Sequence, residues 1–423
     1  MRILYTFGIF CYAFAVRVAA LWNDKARQLS TGWKNTFDRL MHSPIGKGKT
    51  AWFHVSSLGE FEQSRPVMAA FRKAHPDYKI FLTFFSPSGY EIRKDCPDAD
   101  FVCYLPPDTR ANASRFVNWI QPSIVFFVKY DYWFNYLEQL RLRAVPTYIF
   151  STILRPDQYF FRWYGQWFLR HLRDCFTHIF VQNETSLQLL NAYGIHHCSI
   201  AGDTRFDRVH TIALEAQPNA VVVRYIHSRR GKPVLLAGSS WEPDETFLHQ
   251  YLEHRADLTL ILAPHVIDGQ HLDAIDALFG KAGCLRYSAL DSGQRSDEEV
   301  GRCAVLVIDN IGMLASLYQY ADVAYIGGGF GRGIHNTLEA ITFGKPVVFG
   351  PHYRKFQEAC DILARGGGFT YADYDQLQSV LDTLFTDPAA YSHASEVCLQ
   401  YMKENLGSTE KILSVVNANI IHL

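Results

Sequence analysis

The chain has 423 residues, 48% hydrophobic and 20% charged, with a formal net charge of −1. That length exceeds what one hydrophobic core usually sustains, so two globular domains are expected and disorder is not. A near-neutral balance excludes a binder whose affinity rests on neutralising nucleic-acid phosphates, so no nucleic acid is expected as partner. Nine cysteines with neither paired spacing nor a CxxC read as reduced cytosolic thiols, and no metal site or cofactor is expected.

Residues 1–49 hold eight Lys and Arg against two Asp, a local balance of +6 that leaves −7 for the rest. This basic end is also apolar. Ile3 to Val16 carries no charge, Arg17 interrupts, and Val18 to Trp22 resumes the run. Fourteen clean residues fall short of the roughly 20 that span a bilayer. Arg2 ahead of the run and Val18-Ala19-Ala20 behind it also loosely fit a cleaved leader. Trp22, Lys25, Arg27, Trp33, Lys34 and Arg39 follow as an aromatic and basic collar, which favours an uncleaved anchor (residues 1–40) on the anionic cytoplasmic face of an inner membrane.

Short apolar runs then recur at Ala51–Val55, Ile80–Phe85, Phe101–Leu105, Ile124–Val128, Thr147–Ile149 and His178–Val181, with helix-compatible segments between them. Buried runs alternating with helices predict a parallel sheet covered on both faces. Residues 41–215 are therefore expected to form one Rossmann-like domain. The pattern restarts after a joint near Gln217–Asn219, with Val234–Ala237, Leu258–Ala263, Ala304–Ile308, Val323–Ile326 and Pro346–Phe349. A second such domain is expected over 220–423.

Ligands of α/β sheets bind at the carboxyl ends of strands, so the segments following these runs are the candidates. His54 to Glu60 follows the first core strand and puts the Glu60 carboxylate near the sheet edge, where it could equally favour a helix N-terminus. Arg155 to Arg173 interleaves arginines, Arg155 and Arg162 among them, with aromatic residues. Such a surface suits an acylated, phosphorylated substrate, although the aromatics alone would suit a packed helix. Gly238-Ser239-Ser240 lets backbone N–H groups approach a phosphate. Gly327-Gly328-Gly329 running into His335-Asn336 and Glu339 is the stronger signal: a glycine turn, a polar pair at a helix start, and an acid one turn in that can accept both hydrogen bonds of a ribose diol. No GxxxxGK[ST] loop and no GxGxxG with a following acid appear, which disfavours NTP hydrolysis and NAD chemistry.

From about Ala51 to the C-terminus the sequence resembles the 3-deoxy-D-manno-octulosonic acid (Kdo) transferases. The resemblance is carried by His54 to Glu60, Tyr104-Leu105-Pro106 with Asp108, Trp133 with Asn135, Gly202 to Asp207, and Gly327 to Pro351. It implies a GT-B fold, two Rossmann-like domains facing a cleft, behind the N-terminal membrane-anchoring segment. It also implies CMP-Kdo as donor, a lipid A precursor as acceptor, and inversion at the anomeric carbon in lipopolysaccharide synthesis. The catalytic base falls on Glu60. Donor binding falls on Ser239, Ser240, His265, Gly312, Gly327, Gly328, Gly329, His335, Asn336 and Glu339. Acceptor binding falls on Ser57, Gly59, Asp131, Arg155 and Arg162. Two departures stand out. Lys129-Tyr130-Asp131 replaces a pair of acids, and Ala263-Pro264-His265 keeps a histidine but loses an arginine that would meet the donor's charge, for which Arg205 and Arg332 are the candidate replacements. The alternatives are another GT-B enzyme using a UDP-sugar, an epimerase of that fold, or a homologue without turnover.

Overall fold

The computed structural model describes residues 2–43, 48–293 and 295–421. It divides into two compact units, Met1–Arg208 with Leu406–Leu423, and Val209–Asn405. The boundary expected near 215 thus falls earlier. The last segment, expected in the second domain, packs with the first.

The first unit holds β1 (Thr50–Val55), β2 (Lys79–Phe84), β3 (Phe101–Tyr104), β4 (Ile124–Val128), β5 (Thr147–Thr152), β6 (His178–Val181) and β7 (Cys198–Ile200). All pair in parallel in the order β3-β2-β1-β4-β5-β6-β7. Continuous apolar strands fit because helices cover both faces. Phe53, Phe126 and Tyr148 point to one face, and Trp52, Phe127 and Ile149 to the other. Chain order reverses between β1 and β4, the crevice where α/β sheets place their ligands.

Two helices precede this sheet, α1 (Arg2–Ala19) and α2 (Asp24–Met41). Asn23 caps α2 by accepting the Ala26 amide at 3.0 Å. Leu29, Trp33 and Leu40 bury one face of α2, and the ring of Tyr104 lies where a Cβ on Gly32 would sit, so α2 lies flush on β3. Helix α1 packs through Ala13 and partly through Val16, while Ile3, Leu4, Phe7, Phe10 and Phe14 remain exposed on it, as does Trp22 in the turn that follows. Among the described residues no helix is long and apolar enough to cross a membrane. The segment expected to anchor thus begins with a packed helix that leaves one apolar side exposed.

After β1 comes α3 (Leu58–Ala74), and the final helix, Ser408–Ile421, lies beside it. Asp207 holds that helix's start, its carboxylate accepting the Gly407 amide at 2.8 Å and the Thr409 amide at 2.6 Å.

The second unit repeats the architecture with β8 (Val234–Ser240), β9 (Thr259–Pro264), β10 (Cys284–Arg286), β11 (Val305–Val307), β12 (Val323–Ile326), β13 (Val347–Phe349) and β14 (Gly368–Thr370). These too are parallel, in the order β10-β11-β9-β8-β12-β13-β14, and the reversal falls between β8 and β12.

Candidate active site

In the first unit, Glu60 and Asp131 follow the two strands that flank the reversal, β1 and β4. Ser57 is the N-cap of α3 and Glu60 its third residue, so the pair forms a capping box. Glu60 Oε2 accepts the Ser56 amide at 2.6 Å and the Ser57 amide at 3.0 Å. The helix-start role that the sequence allowed is thus realised. Its other oxygen has no hydrogen-bond partner among the described residues. Burial pushes the Glu60 carboxyl above its ordinary value, opposed by the Ser56 amide, the Lys129 ammonium and the Ser57 amide.

Asp131 is expected at the acceptor, yet it is only 6% exposed. Its Oδ1 accepts the Ser56 hydroxyl, and its Oδ2 is buried with no partner. Burial, then the nearby Glu60 charge, pushes its carboxyl well above the ordinary range, so the two neighbouring carboxyls resist ionising together. Behind it the buried His54 is locked as a neutral ring. Trp133 Nε1–H donates to His54 Nε2 at 2.9 Å, so His54 donates from Nδ1 to Thr83 Oγ1 at 2.8 Å. Burial takes its pKa down to about 3. Lys129 turns the chain after β4 at φ 62, a backbone that non-glycine residues adopt rarely.

Asp108 organises the segment after β4 from below. It accepts the Asn135 and Tyr136 amides at 3.0 Å each and the Tyr5 hydroxyl at 2.7 Å. Helix α1 is thereby tied to the site's floor. Of the aromatic-basic stretch, Phe160, Phe161 and Phe168 are core, whereas Arg155, Tyr159, Arg162, Trp163 and Tyr164 are exposed. Part of the stretch is thus packed core and part is exposed surface. Ser57 is half-buried at the cap and Gly59 is exposed. Arg205 is engaged by Asp203, Nε to Oδ2 at 2.9 Å.

In the second unit, β8 ends in Ser239 at φ 54 and Ser240, whose hydroxyl donates to Glu245 at 2.8 Å. The glycines after β12 serve close packing first. A Cβ on Gly327 would lie 2.3 Å from the Ser239 carbonyl, and one on Gly329 would lie 2.5 Å from the Gly350 Cα. Two of the triplet's three N–H groups are already used, Gly327 on the Gly238 carbonyl and Gly328 on Asp244 Oδ2 at 2.9 Å. Just ahead of the short helix Leu338–Ile341, Asn336 accepts the Leu338 amide at 3.1 Å and donates to Glu339 Oε1 at 3.0 Å. His265 and His335 stack at 4.4 Å. Gly312 lies in an exposed turn at φ 98. Sequence reasoning missed Trp241 and Asp244, which act through tertiary contacts that no local spacing signals.

Two parallel α/β units carrying polar residues at their strand-order reversals define the class. Solved structures of the same fold include a UDP-GlcNAc 2-epimerase from Neisseria meningitidis bound to UDP-GlcNAc, with a TM-score of 0.62 and 14% identity over 87% of this chain and all of that one. A UDP-N-acetylglucosamine 2-epimerase aligns with a TM-score of 0.56 and 15% identity, covering 83% of this chain and 91% of the other. Residues 31–208 match the family model described as 3-deoxy-D-manno-octulosonic-acid transferase (kdotransferase). The 3-deoxy-D-manno-octulosonic acid transferase of Haemophilus influenzae is 24% identical over 86% of each chain, and that of Bordetella pertussis 26% identical over 88% of each. The chain is a glycosyltransferase of GT-B-like fold. Along most of its length it is similar to the Kdo transferases.

Proposed function

We propose that the protein transfers Kdo from CMP-Kdo to a lipid A precursor, with inversion at the anomeric carbon, at the cytoplasmic face of the inner membrane. The observation that carries this reading is the Glu60 carboxylate, fixed through Oε2 by two amides at the strand-order reversal with its second oxygen unbonded. In the reaction the acceptor hydroxyl gives its proton to Glu60 as its oxygen bonds the anomeric carbon. The bond from that carbon to the CMP phosphate breaks, and the electron pair leaves with CMP. Of the pair, the proton is assigned to the more deeply buried Asp131 and the charge to Glu60, which Lys129 supports.

Ser57, Gly59, Arg155 and Arg162 are assigned to the acceptor, with arginine suited to its phosphates and exposed Trp163 and Tyr164 to its acyl part. Asp131 acts there through Ser56 and Glu60. The second unit holds the nucleotide: Glu339 takes the ribose, Asn336 orients Glu339, and Ser239, Ser240, Gly312 and Gly327–Gly329 shape the backbone around it. His265 and His335 are assigned to the donor's anionic part. This route calls on no cofactor. The uncovered apolar face of α1, followed by Lys25, Arg27 and Lys34 on exposed positions of α2, supports peripheral docking on an anionic lipid surface.

Incubation with CMP-Kdo and a lipid A precursor, read by product mass, tests the reading. A gain of one or more Kdo residues supports it. No product with CMP-Kdo, together with transfer from a UDP-sugar, would replace it with the UDP-sugar alternative.

A further inference from the structure

The second unit contains a cavity of about 740 Å³ beside the glycine turn, whose wall includes Trp241, His265, Phe330, Arg332 and His335. Three of these rings form a stack. Trp241 lies on His265 with centroids 4.7 Å apart and 28° between planes, and His265 lies on His335 at 4.4 Å and 29°. Trp241 Nε1–H donates to His335 Nε2 at 3.3 Å, so this nitrogen carries no proton when the cavity is empty of ligand. Burial and the neighbouring His265 bring His335 down to about 4, which keeps it neutral.

Fixed positive charge on this wall is scarce. Asp244 and Arg332 are its charged side chains. The Asp244 carboxylate is committed to the Gly328 amide at 2.9 Å, the Trp241 amide at 3.0 Å and the Tyr325 hydroxyl at 2.7 Å, and Arg332 is solvent-exposed. On the elements around it, Glu245 is bonded to Ser240 and His271, Glu339 to Asn336, and His352 Nδ1 to the Gly331 carbonyl. An anion entering here therefore meets one exposed guanidinium and the stacked His265 and His335 rings.

We propose that this cavity is an anion site, for the phosphate or the carboxylate of a sugar nucleotide, that takes up one proton from solvent on the His265–His335 pair as it fills. The proposal rests on the nucleotide reading of this unit and adds to it how the charge is met. Protonation of His335 at Nε2 displaces the Trp241 bond, so that an indole N–H and an imidazolium N–H both become available to the anion. Hydrogen bonds to a charged partner are roughly twice as strong as neutral ones, which makes the exchange favourable once the anion is present. When the ligand leaves, the proton returns to solvent. Because the bound state raises the proton affinity of the pair, ligand affinity is greatest at low pH. It falls as pH rises through the bound-state pKa, by up to about tenfold per pH unit beyond it.

The test is calorimetric titration of the full chain at pH 7.5, in buffers of differing ionisation enthalpy, with CMP in one arm and free Kdo added to CMP-saturated protein in the other. The CMP phosphate itself titrates near pH 6, so the protein's share is the wild-type proton uptake minus that of His335→Gln. His265→Gln serves as a second variant should the first lose its thermal transition. The proposal expects an uptake of roughly 0.3 to 1 proton, reduced in both variants. Uptake in the CMP arm assigns the site to phosphate, and uptake in the Kdo arm assigns it to carboxylate. Ligand binding with equal heats in all buffers, or uptake unchanged in both variants, overturns the proposal while leaving the nucleotide reading intact. If CMP does not bind at all, the nucleotide reading falls and this inference falls with it.

Discussion

Glu60 closes a capping box and also presents a free carboxylate oxygen, and the two roles separate on substitution. Glu60→Gln keeps the side chain's size and an oxygen for the amides but cannot accept a proton. Turnover should fall by about 100-fold or more while CMP binding persists, and stability should change by about 1 kcal/mol or less. Kinetics and a thermal melt on one variant therefore read both roles. The pH profile follows from the same surroundings. A base works when ionised, so activity should be lost as pH falls through a Glu60 pKa that burial has raised. Lys129 opposes that rise, so Lys129→Gln should move the acid limb to higher pH, and a limb that stays put or moves down would remove Lys129 from the site's electrostatics. Glu339→Ala should weaken CMP binding roughly 10- to 100-fold, since a ribose diol would lose a charge-assisted partner. Unchanged affinity would send the ribose elsewhere.

Helix α1 combines a packed stripe with an uncovered apolar side, and the two sides make opposite predictions. Tyr5→Phe removes one of three donors to the buried Asp108 carboxylate and should cost about 1–3 kcal/mol, read as a lowered unfolding midpoint. Phe7→Glu with Phe10→Glu, both on the exposed side, should leave that midpoint in place and release the protein from anionic vesicles in a flotation assay. Retention on the vesicles would refute docking through α1. Elements of this kind were legible in sequence where the apolar run was long enough. β1, β2, β4 and β8 stand out as continuous buried runs, whereas β7, β10 and β14 are three residues each and only partly buried, so no continuous apolar run marks them. The glycine triplet was visible but its first task was not. Only the packed structure puts the Ser239 carbonyl and Gly350 where side chains would have been.

At the scale of the whole molecule, two sheets with the same kind of reversal were readable from a pattern that stops and restarts. The last helix's return to the first unit was not, because it depends on Asp207 reaching Gly407 and Thr409, about two hundred residues away. Asp207→Ala should destabilise by about 1–2 kcal/mol, as for loss of a helix cap, and should raise amide exchange in Ser408–Ile421 ahead of the rest of the unit. Asp131 was also beyond reach. Its position after a strand was evident, but its burial against Ser56 and Glu60 is tertiary. The central claim is the proposal that this protein moves Kdo with Glu60 as its base. Mass spectrometry of the lipid product formed from CMP-Kdo and a lipid A precursor, by wild type and by Glu60→Gln at equal folded concentration, tests it most directly. The account predicts a Kdo-bearing product from the wild type and a yield at least about 100-fold lower from the variant. Equal yields would contradict it.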